Sequence, residues 1–529
     1  MRTLIENGTL ISGTGEPAFR GNVILEGDRI TAVTADGAEI PDKSGFDQIV
    51  DATEALVTPG FIDAHSHSDA YLVVEPDAPS KLSQGVTTEI NGQCGGSIAP
   101  RYDEARLSGD WASILGERLT WRSLAEYREV LVAAKPAINT VQFIGHNTLR
   151  SSVVGYRGRA STPDELKEMQ RLLARELDDG GWGLTTGLIY QPGKYSTPEE
   201  VVALAQTASA HGGFYATHMR SEGDRILEAI DEVLTLVKAT DIRTEISHLK
   251  TSGRQNWGKI DSVLEKMQSA IDAGLLLGSD RYPFCAAGTD LDVVFPDWAG
   301  EGGAPAEMER LQTPSLRARI VAELDAQERD WSSVMVGGVW HADNKDYPGR
   351  TIAEILSAQP SSLNGQAATP GELVCTILEK DLCRTGAFFF GMSEENLEKI
   401  YSMPWIVPGS DASLRAPWGP LAADHPHPRA YGTMPEFYRR VAAKTGREAA
   451  IARMTSIPAR RFGIRDRGVL AAGAFADIAI WRETEFRNTA TFAKSHSFCT
   501  GMDKVFVNGA LAYDGGTFTH AGTGRFLER

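Results

Sequence analysis

The sequence predicts an α/β protein: a (β/α)8 TIM-type barrel with a small β-sandwich domain built from both chain ends. Three observations predict it. Eight short apolar or β-branched runs recur through the middle of the chain, most of them followed by a helix-like stretch. Polar residues able to do chemistry collect just after these runs, where such a barrel keeps its active site. The two ends share another texture, strands joined by glycine turns, and chain termini often lie close together.

Taken in order, residues 1–57 read as strands of the small domain. Runs 3–7 and 9–12 meet at Gly8, and runs 21–25 and 29–33 meet at Glu26-Gly27-Asp28. Acid–glycine turns between β-branched runs are hairpin punctuation. Residues 464–529 carry the same pattern in runs 468–470, 476–481, 504–507 and 510–513, broken by Gly473 and the Asn508-Gly509 turn. The barrel occupies residues 58–463, with candidate strands at 61–64, 85–90, 139–145, 183–188, 213–217, 243–247, 275–278 and 405–408. Segments 163–177 and 198–210 open on Thr-Pro with acids in the first turn, as a helix N-terminus prefers. The stretch from the seventh run to the eighth is too long for one helix, so an insertion is expected at about 285–404. Run 332–340 reads as a strand of that insertion or as a competitor for a place in the barrel.

The net charge of −17 argues against a nucleic-acid partner, which leaves a basic footprint. The five cysteines, Cys94, Cys285, Cys375, Cys383 and Cys499, form an odd, scattered set without a CxxC pair and suit a reducing compartment. The N-terminus lacks the apolar core of a signal peptide, and no run has the apolar length of a membrane span. A soluble, cytoplasmic protein without a nucleic-acid or membrane partner is expected.

The stretch V-T-P-G-F-I-D-A-H-S-H-S-D at 57–69 ends the first barrel run with His65 and His67. Alternate side chains of an extended strand share a face, so two imidazoles at i and i+2 can converge on one divalent metal such as zinc. An isolated H-x-H is short and common; the neighbouring strand ends give it weight. The second run ends in Asn91-Gly92-Gln93-Cys94, the third in Gly145-His146-Asn147, and the fourth reaches Tyr190. The fifth leads to His218, the sixth to His248 and Lys250, the seventh to Ser279-Asp280-Arg281-Tyr282, and the eighth to Ser410-Asp411. A lone cysteine is most often a small buried apolar residue; among glycines at a strand end, Cys94 reads as a ligand. His146 reads either as a structural hydrogen-bonding residue or as one placed behind the ligands.

These motifs resemble the amidohydrolase superfamily and, within it, the N-acyl-D-amino-acid deacylases, or D-aminoacylases. P-G-F-I-D-A-H-S-H at 59–67, the single His218 and His248, S-D at 410–411 and the flanking β domain carry the broader resemblance. N-G-Q-C-G-G-S-I-A-P at 91–100, G-H-N-T-L-R at 145–150, G-L-T-T-G-L-I-Y at 183–190, T-H-M-R-S-E at 217–222 and I-S-H-L-K at 246–250 carry the narrower one. R-Y-P-F at 281–284 and H-P-R-A-Y-G-T at 427–433 extend it across nearly the whole chain. Many members bridge two metals with a modified lysine after strand four. Here no lysine follows until Lys194, so the resemblance implies Cys94 as the bridging ligand.

The same resemblance implies that Cys94, His218 and His248 hold a tight zinc, and that His65, His67 and Asp411 form a second, weaker site. Asp411 would be the general base, and Tyr190 a hydrogen-bond donor to the developing oxyanion. Lys250, Tyr282 and Arg429 would bind the substrate's α-carboxylate. The implied reaction is zinc-dependent hydrolysis of N-acyl-D-amino acids to a carboxylate and a free D-amino acid. The alternatives are an amidohydrolase acting on a dipeptide, a cyclic amide or an N-carbamoyl amino acid, and a catalytically inactive barrel scaffold.

Overall fold

The computed structural model describes the chain except for residues 39–40, 103–106, 108–110, 359–361 and 364–365. Its centre is a ring of parallel strands in the predicted order. Phe61–Asp63 pairs with Val86–Asn91, which pairs with Asn139–Gln142. The third strand kinks at Phe143 and resumes as Ile144–Gly145 against Gly183–Gly187. Phe214–His218, Thr244–Ile246, Leu277–Arg281 and Ile406–Pro408 follow, each parallel to the last. The ring closes where the Ala64 N–H donates to the Pro408 carbonyl at 3.1 Å and Ser66 bridges Ala412. Every residue of these strands is buried. That is why they read as continuous apolar or β-branched runs and not as an alternating pattern.

Ile62, Ile90, Val141, Phe143, Trp182, Phe214 and Val407 pack with Ala459, Phe462 and Ile464 in one apolar cluster. Trp182 Nε1 donates to the Phe462 carbonyl at 2.7 Å. The polar residues at the strand C-termini are therefore the accessible end. Helices Pro163–Asp178 and Pro198–Ala210 form where predicted. Thr162 and Glu165 make a reciprocal capping box, and Thr197 caps the second helix by accepting from the Glu200 N–H.

The chain ends pair as expected. Leu56–Pro59 lies antiparallel to Ile478–Trp481 within one nine-stranded sheet. Val23, Ile30 and Val57 share a core with Ile478 and Phe506, so this single sheet folds over itself to make the sandwich. Between barrel strands seven and eight, Ala287–Asp290, Gly386–Phe389 and Val334–Val336 form a three-stranded antiparallel sheet. The run at 332–340 thus belongs there and not to the barrel. This region has its own core, including Leu291, Ile320, Leu324, Val336 and Leu373. Helix Glu394–Ser402 instead packs Leu397, Ile400 and Tyr401 into the main barrel core. Strand seven runs to Arg281, three residues beyond its predicted end at 278. Ser279 and Asp280 are consequently inside the strand, and both are buried. Among the described residues no helix is long and apolar enough to cross a membrane.

Candidate metal centre

Two groups of potential ligands meet at the C-terminal mouth of the barrel and share one sulfur. Cys94, His218 and His248 form one group; His65, His67, Cys94 and Asp411 form the other, with ligand atoms in each group lying within 4.8 Å of one another. Cys94 Sγ lies 3.3 Å from His248 Nε2 and 3.3 Å from His65 Nε2. Tetrahedral zinc with bonds of about 2.3 Å to sulfur and about 2.05 Å to nitrogen separates those atoms by roughly 3.5 Å. Both ring nitrogens of His218 are buried without a hydrogen-bond partner among the described residues. Glu222 Oε2, at 3.6 Å, is beyond hydrogen-bond range. A buried imidazole with two idle nitrogens beside a sulfur and a second imidazole fits a divalent ion.

The backbone is bent to bring these groups together. Cys94, His248 and Asp411 have φ of 53°, 38° and 50°, in the left-handed region that costs a side-chain-bearing residue about 1–3 kcal/mol. The turn carrying Cys94 presses on strand four: a Cβ on Gly187 would lie 2.0 Å from the Cys94 carbonyl oxygen. Burial alone would raise the Cys94 thiol, but the charges of His65 and His248 and the hydrogen bond with His248 hold it well below its usual range. The same charges favour the thiolate, the form that binds metal.

Asp411 Oδ1 stands 3.3 Å from His65 Nε2 and 3.1 Å from His67 Nε2. Its Oδ2 lies 2.7 Å from Arg429 Nη1. Burial pushes its carboxyl upward, yet Arg429, His248 and the two histidine hydrogen bonds outweigh that and hold it well below the carboxylate range. It is ionised and able to accept a proton. Burial and the Cys94 charge push the Tyr190 phenol well above its ordinary value, so it stays protonated and able to donate. Its ring packs edge-on to His218 with centroids 5.0 Å apart.

A cavity of about 780 Å³ opens over both groups, lined by Tyr190, Lys250, Tyr282 and Arg429 and, from the inserted region, by Thr289, Glu307 and Phe389. The Tyr282 hydroxyl is buried with no hydrogen-bond partner among the described residues. Its ring lies 4.7 Å from the Arg429 guanidinium and 5.9 Å from the Lys250 ammonium. Three donors of this kind suit a planar anion. Lys194 is not at the centre; it pairs with Asp297 at 2.7 Å. His146 is structural, bonding Glu200 at 2.9 Å together with Arg150.

Residues 48–513 match the amidohydrolase family. The chain belongs to the amidohydrolase family. Within it, the chain is similar to the D-aminoacylase of Alcaligenes xylosoxydans xylosoxydans, 31% identical over 99% of this chain and 97% of the relative. It is 32% identical to the N-acyl-D-glutamate deacylase of the same organism, over 99% of this chain and 96% of that one. A solved structure of the Bordetella bronchiseptica N-acyl-D-glutamate deacylase, bound to zinc and a phosphonate mimic of the tetrahedral intermediate, superposes with a TM-score of 0.81. That match is 29% identical and covers 100% of this chain and 99% of the other.

This amidohydrolase also carries, behind the candidate ligands, two residues that the sequence motifs contain without a role being assigned to them. Asp280 Oδ2 lies 3.3 Å from His65 Nδ1, and its Oδ1 accepts from the His248 backbone N–H at 2.9 Å. Glu222 Oε1 lies 2.9 Å from His248 Nδ1 and 2.5 Å from Lys250 Nζ. Such partners fix the tautomer and ring orientation of a ligand histidine. A signal was present: Glu222 closes the T-H-M-R-S-E motif, and Ser279-Asp280 repeats the Ser410-Asp411 pair.

Proposed function

We propose that this protein is a zinc-dependent hydrolase that cleaves N-acyl-D-amino acids to a carboxylate and a free D-amino acid. The observation that carries the reading is the conjunction of a shared thiolate centre with an ionised Asp411 beside it and three donors, Lys250, Tyr282 and Arg429, in the same cavity. An N-acyl amino acid needs this combination, an electrophilic amide flanked by an α-carboxylate. The two D-amino-acid deacylase relatives support the substrate class.

Cys94, His218 and His248 would hold the tight zinc, and His65, His67 and Asp411 a second, weaker ion. A zinc ion held there would supply Lewis acidity toward the amide carbonyl and the attacking water. Lys250, Tyr282 and Arg429 hold the α-carboxylate and so set the amide against the centre. Tyr190 donates to the carbonyl oxygen as negative charge grows there. Asp411 accepts the proton of the attacking water and delivers it to the departing amine nitrogen. The amine leaves neutral, the acyl carbon gains the hydroxyl oxygen, and Asp411 returns to its ionised form. Five unpaired cysteines support a reducing, cytoplasmic setting.

The test is a screen of N-acetyl-D- and N-acetyl-L-amino acids, with added zinc and with chelator. Free amino acid from the D series alone, abolished by chelator, supports the reading. Release only from L substrates, or hydrolysis confined to N-carbamoyl or cyclic amides, overturns it.

A further inference from the structure

Lys81 lies in the short helix Pro79–Leu82 that follows the first strand's loop, and only 1% of its side chain is exposed. A buried ammonium is costly unless fully compensated. The three N–H donors of Lys81 Nζ are shared among Asp63 Oδ2 at 2.7 Å, Ser66 Oγ at 3.0 Å, the Ala412 carbonyl at 3.0 Å and Ser410 Oγ at 3.1 Å, with Glu89 Oε2 at 3.5 Å. These partners have a pattern. Ser66 lies between His65 and His67, and Ser410 and Ala412 flank Asp411.

The carboxylates extend the same grip. Asp63 accepts from the Ser410 N–H at 2.8 Å and from its hydroxyl at 2.6 Å. Glu89 accepts from the hydroxyls of Ser66 and Ser68, each at 2.8 Å. The Asp411 N–H donates to the His65 carbonyl at 2.8 Å, closing the junction between the first and eighth strand ends. None of the hydrogen bonds of Lys81 reaches Cys94, His218 or His248.

We infer that Lys81 is a positioning residue for catalysis, which aligns Asp411 against His65 and His67 by tying together the two loops that carry them. The inference rests on the deacylase reading, because it needs Asp411 to be the base. Lys81 touches neither the cavity nor the substrate, so its effect is expected in kcat and not in KM. A misplacement of about 1 Å by a distant change can cost on the order of 100-fold in rate.

The experiment compares zinc-loaded wild type, Lys81→Met and the double variant Asp63→Asn/Lys81→Met on the N-acetyl-D-amino acid turned over fastest in the screen. The double variant removes a stranded buried carboxylate, and so provides a folded protein should the single one misfold. In folded protein carrying one tight zinc per chain, kcat is expected to fall roughly 10- to 100-fold with KM within about twofold. A purely structural lysine would lower yield and melting temperature while leaving kcat per zinc-bearing molecule unchanged. A kcat within about twofold of wild type in either folded variant overturns the inference, on the same scale. Wild type inactive on every N-acetyl-D substrate would instead overturn the deacylase reading.

Discussion

Replacing Glu222 with glutamine is expected to weaken zinc binding and substrate binding together. The carboxylate lies between His248 Nδ1 at 2.9 Å and Lys250 Nζ at 2.5 Å. Burial acts to raise its pKa, but the charges of His218, Lys250 and His248 prevail and hold it well below the usual range. It is therefore an anion serving two partners. Glutamine keeps the shape and one acceptor oxygen but loses the charge, and a charge-assisted hydrogen bond is roughly twice as strong as a neutral one. Loss of a partner behind a metal ligand typically costs about 10- to 100-fold in affinity, or roughly 1.4–2.7 kcal/mol. The assay is competition for zinc between the protein and a chromophoric chelator near neutral pH, paired with KM for an N-acetyl-D-amino acid. Zinc affinity is expected to fall about 10-fold or more, and KM to rise because Lys250 loses its tether. Unchanged zinc affinity and unchanged KM would refute the reasoning, since neither His248 nor Lys250 would then depend on the carboxylate.

Cys94→Ala is expected to lose the tight zinc, whereas Asp411→Ala keeps it and loses turnover; metal content by elemental analysis beside kcat separates the two. Tyr282→Phe removes a buried hydroxyl without a partner among the described residues, a group costing about 1–3 kcal/mol when left unsatisfied. The variant should melt higher than wild type without substrate and show a raised KM, and a lower melting temperature with unchanged KM would contradict the anion-binding role. Burial pushes the Glu307 carboxyl up to about 7, against a smaller lowering from its hydrogen bond to Asp292. Between its ordinary value of about 4.5 and about 7 the folded protein binds more protons than the unfolded chain, so stability from this group falls as pH rises through that window. Glu307→Gln should therefore raise the melting temperature more at pH 8 than at pH 5, with the pH values chosen to straddle that window roughly.

The barrel was legible because its strands are buried on both faces and so stand out as short continuous apolar runs. His65, His67, Cys94, His218, His248 and Asp411 were legible because each lies at or just past a strand end. The network behind them was not. Lys81 and Ser410 are 329 residues apart in the chain, and Asp63 and Ser410 are 347 apart. Nothing local distinguishes Lys81, in the run P-S-K-L, from a surface lysine. Asp280 was visible at the end of strand seven, but its part in the network was not, because the strand continues through three polar residues, Ser279, Asp280 and Arg281, that read as a loop. The pairing of Arg429 with Asp411 also escaped, because a guanidinium chosen for a substrate carboxylate serves equally well as partner to a protein one.

The two groups of candidate ligands are held from behind by two separate lysine–carboxylate pairs, Lys250–Glu222 and Lys81–Asp63. Buried pairs of this kind are weak evidence for stability, since apolar replacements often do as well; their use here is geometric. Lys250 opens on the cavity and belongs to the half that holds Cys94, His218 and His248. Lys81 is enclosed and belongs to the half that holds His65, His67 and Asp411. The halves meet through Cys94 Sγ, 3.3 Å from both His65 and His248, and through Asp280, which touches both histidines from below. Among the described residues Glu222 and Lys81 share no hydrogen-bond partner, so their substitutions should combine additively, within about 0.5 kcal/mol in the barrier for kcat/KM. Cys94 and Asp280 each contact both halves, so a substitution at either should couple to both. A large coupling between Glu222→Gln and Lys81→Met would mean that the two halves move as one unit, and that the separation of metal holding from base alignment is wrong.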